Sequence, residues 1–350
     1  MKARFLMPIA VAIALLLGLP AGAHAGKIEA VASFSILGDM VREVGGDRVE
    51  VTTLVGPDGD AHVYEPTPAD AKNLAASNIL FVNGLGFEGW MDRLEKSSGF
   101  KGPVVVASKG VTPRHMMKGK MEEITDPHAW QSLANGKIYV ANIRDGLIAA
   151  DRKGKPTYEA NAAKYLDAIA KEEASVKETL DKLPEDRRRI ITSHDAFGYF
   201  GAAYGIEVIA PEGVSTESEA SAKDVAKIIR QIKAENIPAV FIENITNHRL
   251  LDQIARETGA KIGGTLYTDA LSQPDGPAPT YLGMFRHNIE APVAGAVVVA
   301  FGGAHPWETG AFRALLRMRS ELLIVRSGRR PRLEPCGQMF PVPRKLATGL

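Results

Sequence analysis

The chain has 350 residues, with 42 Lys and Arg against 41 Asp and Glu. The net charge of +1 gives no bulk bias toward nucleic acid or an anionic membrane surface. Its single cysteine, Cys336, excludes an internal disulfide, so the fold must rest on core packing alone.

Residues 1–25 read as a secretory signal. Lys2 and Arg4 form a basic start, Phe5 to Leu19 an apolar run, and Ala23-His24-Ala25 a small-x-small cleavage site. The mature chain is expected to begin at residue 26 in a periplasm-like compartment. With no cysteine near that point, a lipid-anchored form is not expected. Residues 26–350 are long enough for two domains.

Strand and helix then alternate. Lys27 to Ser33 reads as a strand, Ile36 to Val44 as a helix and Val49 to Val55 as a strand. Thr67 is a predicted N-cap with Pro68 at the first helical position. Ile79 to Val82 and Val104 to Ala107 are short strands, with a helix over Gly89 to Lys96 between them. Thr157 to Leu183 holds no Gly or Pro, and its apolar residues recur at three-, four- and seven-residue steps, which predicts one long helix. At 1.5 Å per residue it is about 40 Å long, the length of a strut between lobes. The rhythm resumes with strands at Arg189–Ser193, Glu207–Ala210, Ala239–Glu243 and Lys261–Leu266. Helices are predicted at Ala196–Tyr204, Ser221–Asn236, His248–Thr258 and Thr280–Ile289. This order predicts an α/β protein: two lobes, each with a mainly parallel sheet flanked by helices, joined by one rigid backbone helix. The expected divisions are 26–150 for the first lobe, 151–186 for the linking helix and 187–290 for the second lobe.

Residues 291–350 break the pattern. Arginine crowds out lysine, and Pro331, Pro335, Pro341 and Pro343 interrupt any long element. This tail reads either as a basic interaction segment or as sequence without selected structure, such as a translated frameshift. The second reading is preferred, and weak order is expected beyond about residue 300.

Four residues carry candidate chemistry. His62 lies in Asp60-Ala61-His62-Val63-Tyr64-Glu65-Pro66, His128 in Asp126-Pro127-His128-Ala129-Trp130, His194 in Ser193-His194-Asp195-Ala196-Phe197 and Asp269 in Tyr267-Thr268-Asp269. All lie in or beside loops. His62, His194 and Asp269 follow strand carboxyl ends, where open α/β sheets bind ligands. Three imidazoles and one carboxylate make a complete tetrahedral set for a borderline-soft divalent cation such as zinc. His115, His248, His287 and His305 lack this setting. A zinc enzyme would need an open coordination position and a base. Glu65 or Asp195 could supply the base, but orienting a ligand histidine is the better role for either. A surface adhesin or zinc-buffering protein would share the same site.

From about Lys27 to Ile289, these motifs in this order and spacing make the chain resemble the metal-binding solute-binding proteins of zinc and manganese ABC importers, the cluster A-I type. The resemblance implies two α/β lobes on a backbone helix with the metal between them, and ligand roles for His62, His128, His194 and Asp269. It also implies an importer permease as partner. Family members with glutamate at the position of His194 resemble manganese carriers, so the histidine points to Zn2+, with Mn2+ as the alternative. Many zinc carriers of that family also have a long histidine-rich loop before the Asp-Pro-His motif. Here only Arg114 to Ile124 stands there, a Met-containing loop read as ordinary and mobile, or else as a contact for a periplasmic metallochaperone. No oligomer and no nucleic-acid partner are expected.

Overall fold

The computed structural model describes residues 27–118, 122–185, 188–235, 237 and 239–300. Strand β1 (Ile28–Phe34) pairs in parallel with β2 (Val49–Val55) on one side and β3 (Ile79–Val82) on the other, and β3 pairs with β4 (Val104–Val106). The resulting order is β2-β1-β3-β4. Helices α1 (Ser35–Gly45), α2 (Pro68–Ala76) and α3 (Met91–Ser98) connect these strands. As predicted, Thr67 caps α2, and its hydroxyl accepts from the Asp70 amide in a reciprocal capping box. The side chains of Val31, Phe34, Ile36, Leu37, Met40, Leu80 and Phe81 are fully buried and form the core of this lobe.

A second four-stranded parallel sheet has the order β10-β9-β7-β8, from β7 (Arg189–Ile191), β8 (Glu207–Ile209), β9 (Ala239–Glu243) and β10 (Lys261–Leu266). Helices α6 (Gly198–Tyr204), α7 (Ala222–Glu235) and α8 (Arg249–Thr258) connect them. Ile191, Ile228, Ile232, Val240, Leu251 and Ile254 form one buried cluster between this sheet and its helices.

Helix α5 (Lys155–Asp181) is the expected strut. It packs on α1 and on α4 (Leu133–Ala150) of the first lobe, and its far end holds helix α9 (Tyr281–Ala300) through Glu172 and Arg286 at 2.7 Å. Both lobes lie within one compact unit that ends at Pro292. Among the described residues no helix is long and apolar enough to cross a membrane.

Three expectations are corrected. Helix α4 was not expected, because Gly136 and Gly146 depress its helical signal. Both glycines serve packing: a Cβ on Gly136 would lie 2.5 Å from the Tyr281 hydroxyl, and one on Gly146 would lie 2.6 Å from Val105. The expected loop at 114–124 is an antiparallel hairpin of β5 (Arg114–Lys118) and β6 (Glu122–Asp126). Finally, α9 does not stop near Ile289 but continues through Pro292 to Ala300, a stretch rich in alanine, the best helix former. The expected weak order beyond residue 300 lies outside the described residues, as does the signal at 1–25.

Candidate metal centre

The sequence motifs meet at the facing carboxyl ends of the two sheets. His62 is carried by the loop after β2, and its backbone N–H donates to Asp60 Oδ1 at 2.9 Å. His128 follows β6, where Asp126 Oδ1 accepts both the His128 backbone N–H (3.0 Å) and Nδ1 (2.8 Å). His194 follows β7, and Asp269 follows β10. All four residues are buried, and one donor atom from each lies within 4.8 Å of all the others. Asp269 Oδ2 is 3.2 Å from His62 Nε2 and 3.2 Å from His194 Nε2, while Asp269 Oδ1 is 3.6 Å from His128 Nε2. His62 Nε2 and His128 Nε2 are 3.3 Å apart. His115 is out on the hairpin beside Glu123, and His287 donates toward the Thr265 carbonyl; neither joins the cluster.

The environment is apolar and closed. Phe87 packs edge-on against His62 with centroids 4.9 Å apart, and Trp130 against His128 at 5.2 Å. The lobes are tied across the cluster by Trp130 Nε1 and Gln131 Nε2, which both donate to the Thr268 carbonyl at 2.9 and 2.8 Å. Asp60 Oδ2 accepts from Thr216 of the second lobe at 2.6 Å.

Burial opposes charge on these groups, but their neighbours outweigh it. His128 loses from desolvation yet is raised to about 9 by the carboxylates of Asp269 and Asp126. His194 is likewise pushed well above its ordinary value, by Glu243 and Asp269 against its burial. Burial would raise Asp269, but His128 and His194 hold it well below the usual carboxylate range.

The orienting carboxylates are not the expected ones. Glu65 is exposed, and burial raises the Asp195 carboxyl, with Asp126 nearby adding to the rise. The carboxylates that touch ligand-set imidazoles at Nδ1 are Asp126 for His128 and Glu243 for His194. Each leaves the ring's Nε2 facing the cluster. The available signal for Glu243 was a lone acid ending the apolar run Ala-Val-Phe-Ile-Glu of β9.

The cluster fits a cation. His194 Nε2 and both oxygens of Asp269 are buried with no hydrogen-bond partner among the described residues. Buried polar atoms left in this way are costly unless something binds them, and one cation between three imidazole nitrogens and a carboxylate would satisfy all of them.

Two parallel-sheet lobes on a long helix, with a buried ligand set between them, define a solute-binding protein for metal ions. Residues 30–295 match the family model described as ZnuA, zinc-uptake complex component A, periplasmic, and the chain belongs to this family of metal-binding solute-binding proteins of ABC transporters. It is 33% identical over 269 residues to the manganese-binding lipoprotein MntA of Halalkalibacterium halodurans, covering 77% of this chain and 88% of that protein. It is 32% identical over 266 residues to the iron-binding protein YfeA of Yersinia pestis, covering 76% and 85%. The fold matches the periplasmic zinc-binding protein TroA of Treponema pallidum with a TM-score of 0.73 and 30% identity, covering 77% of this chain and 99% of that one. The family's members bind and hand over solutes and are not enzymes.

Proposed function

We propose that this protein captures one divalent transition metal, Zn2+ first and Mn2+ as the alternative, and delivers it to the permease of an ABC importer. His62, His128 and His194 bind through Nε2, and Asp269 supplies the fourth ligand and the negative charge. Residues 26–150 and 187–290 act as the two jaws, and 151–186 as the helix that spaces them. Export by residues 1–25 puts the mature protein outside the cytoplasmic membrane.

The observation that carries this reading is the convergence of four buried donor atoms within 4.8 Å, with His194 Nε2 and both Asp269 oxygens left without hydrogen bonds among the described residues. The preference for zinc rests on ligand chemistry: three imidazoles and one carboxylate suit zinc, whereas manganese is better served by more oxygen ligands. The named relatives include carriers of manganese, iron and zinc, so the metal must be decided on this chain. The test is native mass spectrometry of residues 26–350 with zinc and manganese together. One zinc per chain, retained against excess manganese and lost in a His62→Ala/His194→Ala variant, is the expected result. Preferential manganese would replace the metal but keep the site, and a chain that takes up neither would end the proposal.

A further inference from the structure

Strand β9 lies between β7 and β10, the two strands whose carboxyl ends lead into His194 and Asp269. Its last residue, Glu243, is fully buried. One oxygen, Oε1, accepts the backbone N–H groups of Ser193 (2.8 Å) and His194 (3.0 Å). The other, Oε2, accepts from His194 Nδ1 and receives a long contact from the Thr268 hydroxyl at 3.5 Å. Both oxygens therefore face donors, and those donors belong to the two loops that carry His194 and Asp269.

We infer that Glu243 is the positioning residue of the second lobe: its carboxylate fixes the ring orientation and tautomer of His194 and ties the two ligand loops into one unit. The inference rests on the metal-site reading given above. Its physical core is that no neutral isostere can replace the carboxylate. A glutamine that keeps its carbonyl on the two backbone N–H groups turns its NH2 toward His194 Nδ1. That imidazole nitrogen must then give up its proton, which moves to Nε2, the atom that faces Asp269 at 3.2 Å. A glutamine flipped the other way sets its NH2 against two backbone donors. Either orientation removes hydrogen bonds from a buried site, and the first also occupies the lone pair that would bind the metal.

The test is competition for zinc between the protein and a chromogenic chelator, for wild type, Glu243→Gln and His194→Ala. Circular dichroism and thermal melting check the fold. The expected result is a folded Glu243→Gln protein whose zinc affinity is lower by roughly 10- to 100-fold, the cost of losing a partner that orients a metal ligand. A purely structural role would lower the melting temperature and leave the affinity of the folded protein unchanged, which would overturn the inference. Nuclear magnetic resonance of zinc-loaded wild type supplies a second readout that does not depend on the Glu243→Gln protein folding. It should show a far-downfield, slowly exchanging imidazole N–H that is missing from the His194→Ala spectrum, and its absence from wild type would also overturn the inference. Wild type that binds neither zinc nor manganese sinks the site reading and this inference together, whereas wild-type binding with an unaffected Glu243→Gln sinks the inference alone.

Discussion

The two lobes present similar sheets to the cleft but hold their histidines by different means. In the first lobe His128 is steadied by Asp126, two residues away at the end of β6, and one oxygen of that carboxylate accepts both the backbone N–H and Nδ1. In the second lobe His194 is steadied by Glu243, 49 residues away on the neighbouring strand, and both of its oxygens are engaged. A local turn can form its bonds before the sheet is complete. The Glu243 arrangement exists only once β7 and β9 have paired, so the geometry at His194 and Asp269 depends on tertiary assembly.

The largest expected effect removes what the two lobes share. Asp269 is the only carboxylate in the ligand set, and its oxygens lie near all three histidines. Asp269→Ala should reduce metal affinity by more than the roughly 100-fold that loss of an orienting partner costs. Chelator competition measures this, and retention of near-wild-type affinity would remove Asp269 from the ligand set.

Acid should act on both lobes at once. In the metal-free protein His128 is held at about 9 and His194 well above its ordinary value, by carboxylates that outweigh burial. At neutral pH the metal must displace these protons, so affinity should fall about tenfold per pH unit for each proton displaced. The sign for stability follows from the same shift. A folded-state value raised above the unfolded 6.5 gives the metal-free protein a stabilisation that is complete below pH 6.5 and lost as pH rises toward 9. The rise in melting temperature on adding metal should therefore grow from pH 6 to pH 9. Calorimetry in the presence and absence of zinc tests this, and a constant increment would contradict it.

Asp126→Asn sharpens the contrast between the lobes. Only Asp126 Oδ1 is engaged, and Oδ2 has no hydrogen-bond partner among the described residues, with Arg114 Nε 3.8 Å away. An asparagine can keep its carbonyl on both His128 donors and turn its amide toward the unused side. Its loss of zinc affinity should be smaller than that of Glu243→Gln, under about tenfold. Equal losses in the two variants would erase the distinction between one-oxygen and two-oxygen support.

The smallest effect is expected away from the ligands. Gly136→Ala brings a methyl group to within 2.5 Å of the Tyr281 hydroxyl, which donates to the Trp130 carbonyl at 2.6 Å. Overpacking there should cost about 1–3 kcal/mol in urea denaturation and shift zinc affinity little. A large affinity loss would mean that Tyr281 transmits strain through Trp130 to His128.

Much of the fold was legible because its signals are local. The alternation in Lys27–Ser33, the capping residues Thr67-Pro68 and the Gly-free run in α5 each declare themselves within a few residues. The four site residues were legible from their loop motifs and the chemistry of imidazole and carboxylate. Helix α4 was hidden because its two glycines answer to side chains of Tyr281 and Val105, far along the chain. The sequence by itself determined the α/β rhythm, the long strut and the donor types for a borderline-soft cation, since periodicity and ligand chemistry are properties of short segments. Only the tertiary structure decided that Asp126 and Glu243, rather than Glu65 or Asp195, steady the histidines. Hydrogen-bond partnership inside a buried site is fixed by which strands lie side by side, and sheet order is not written in any one segment.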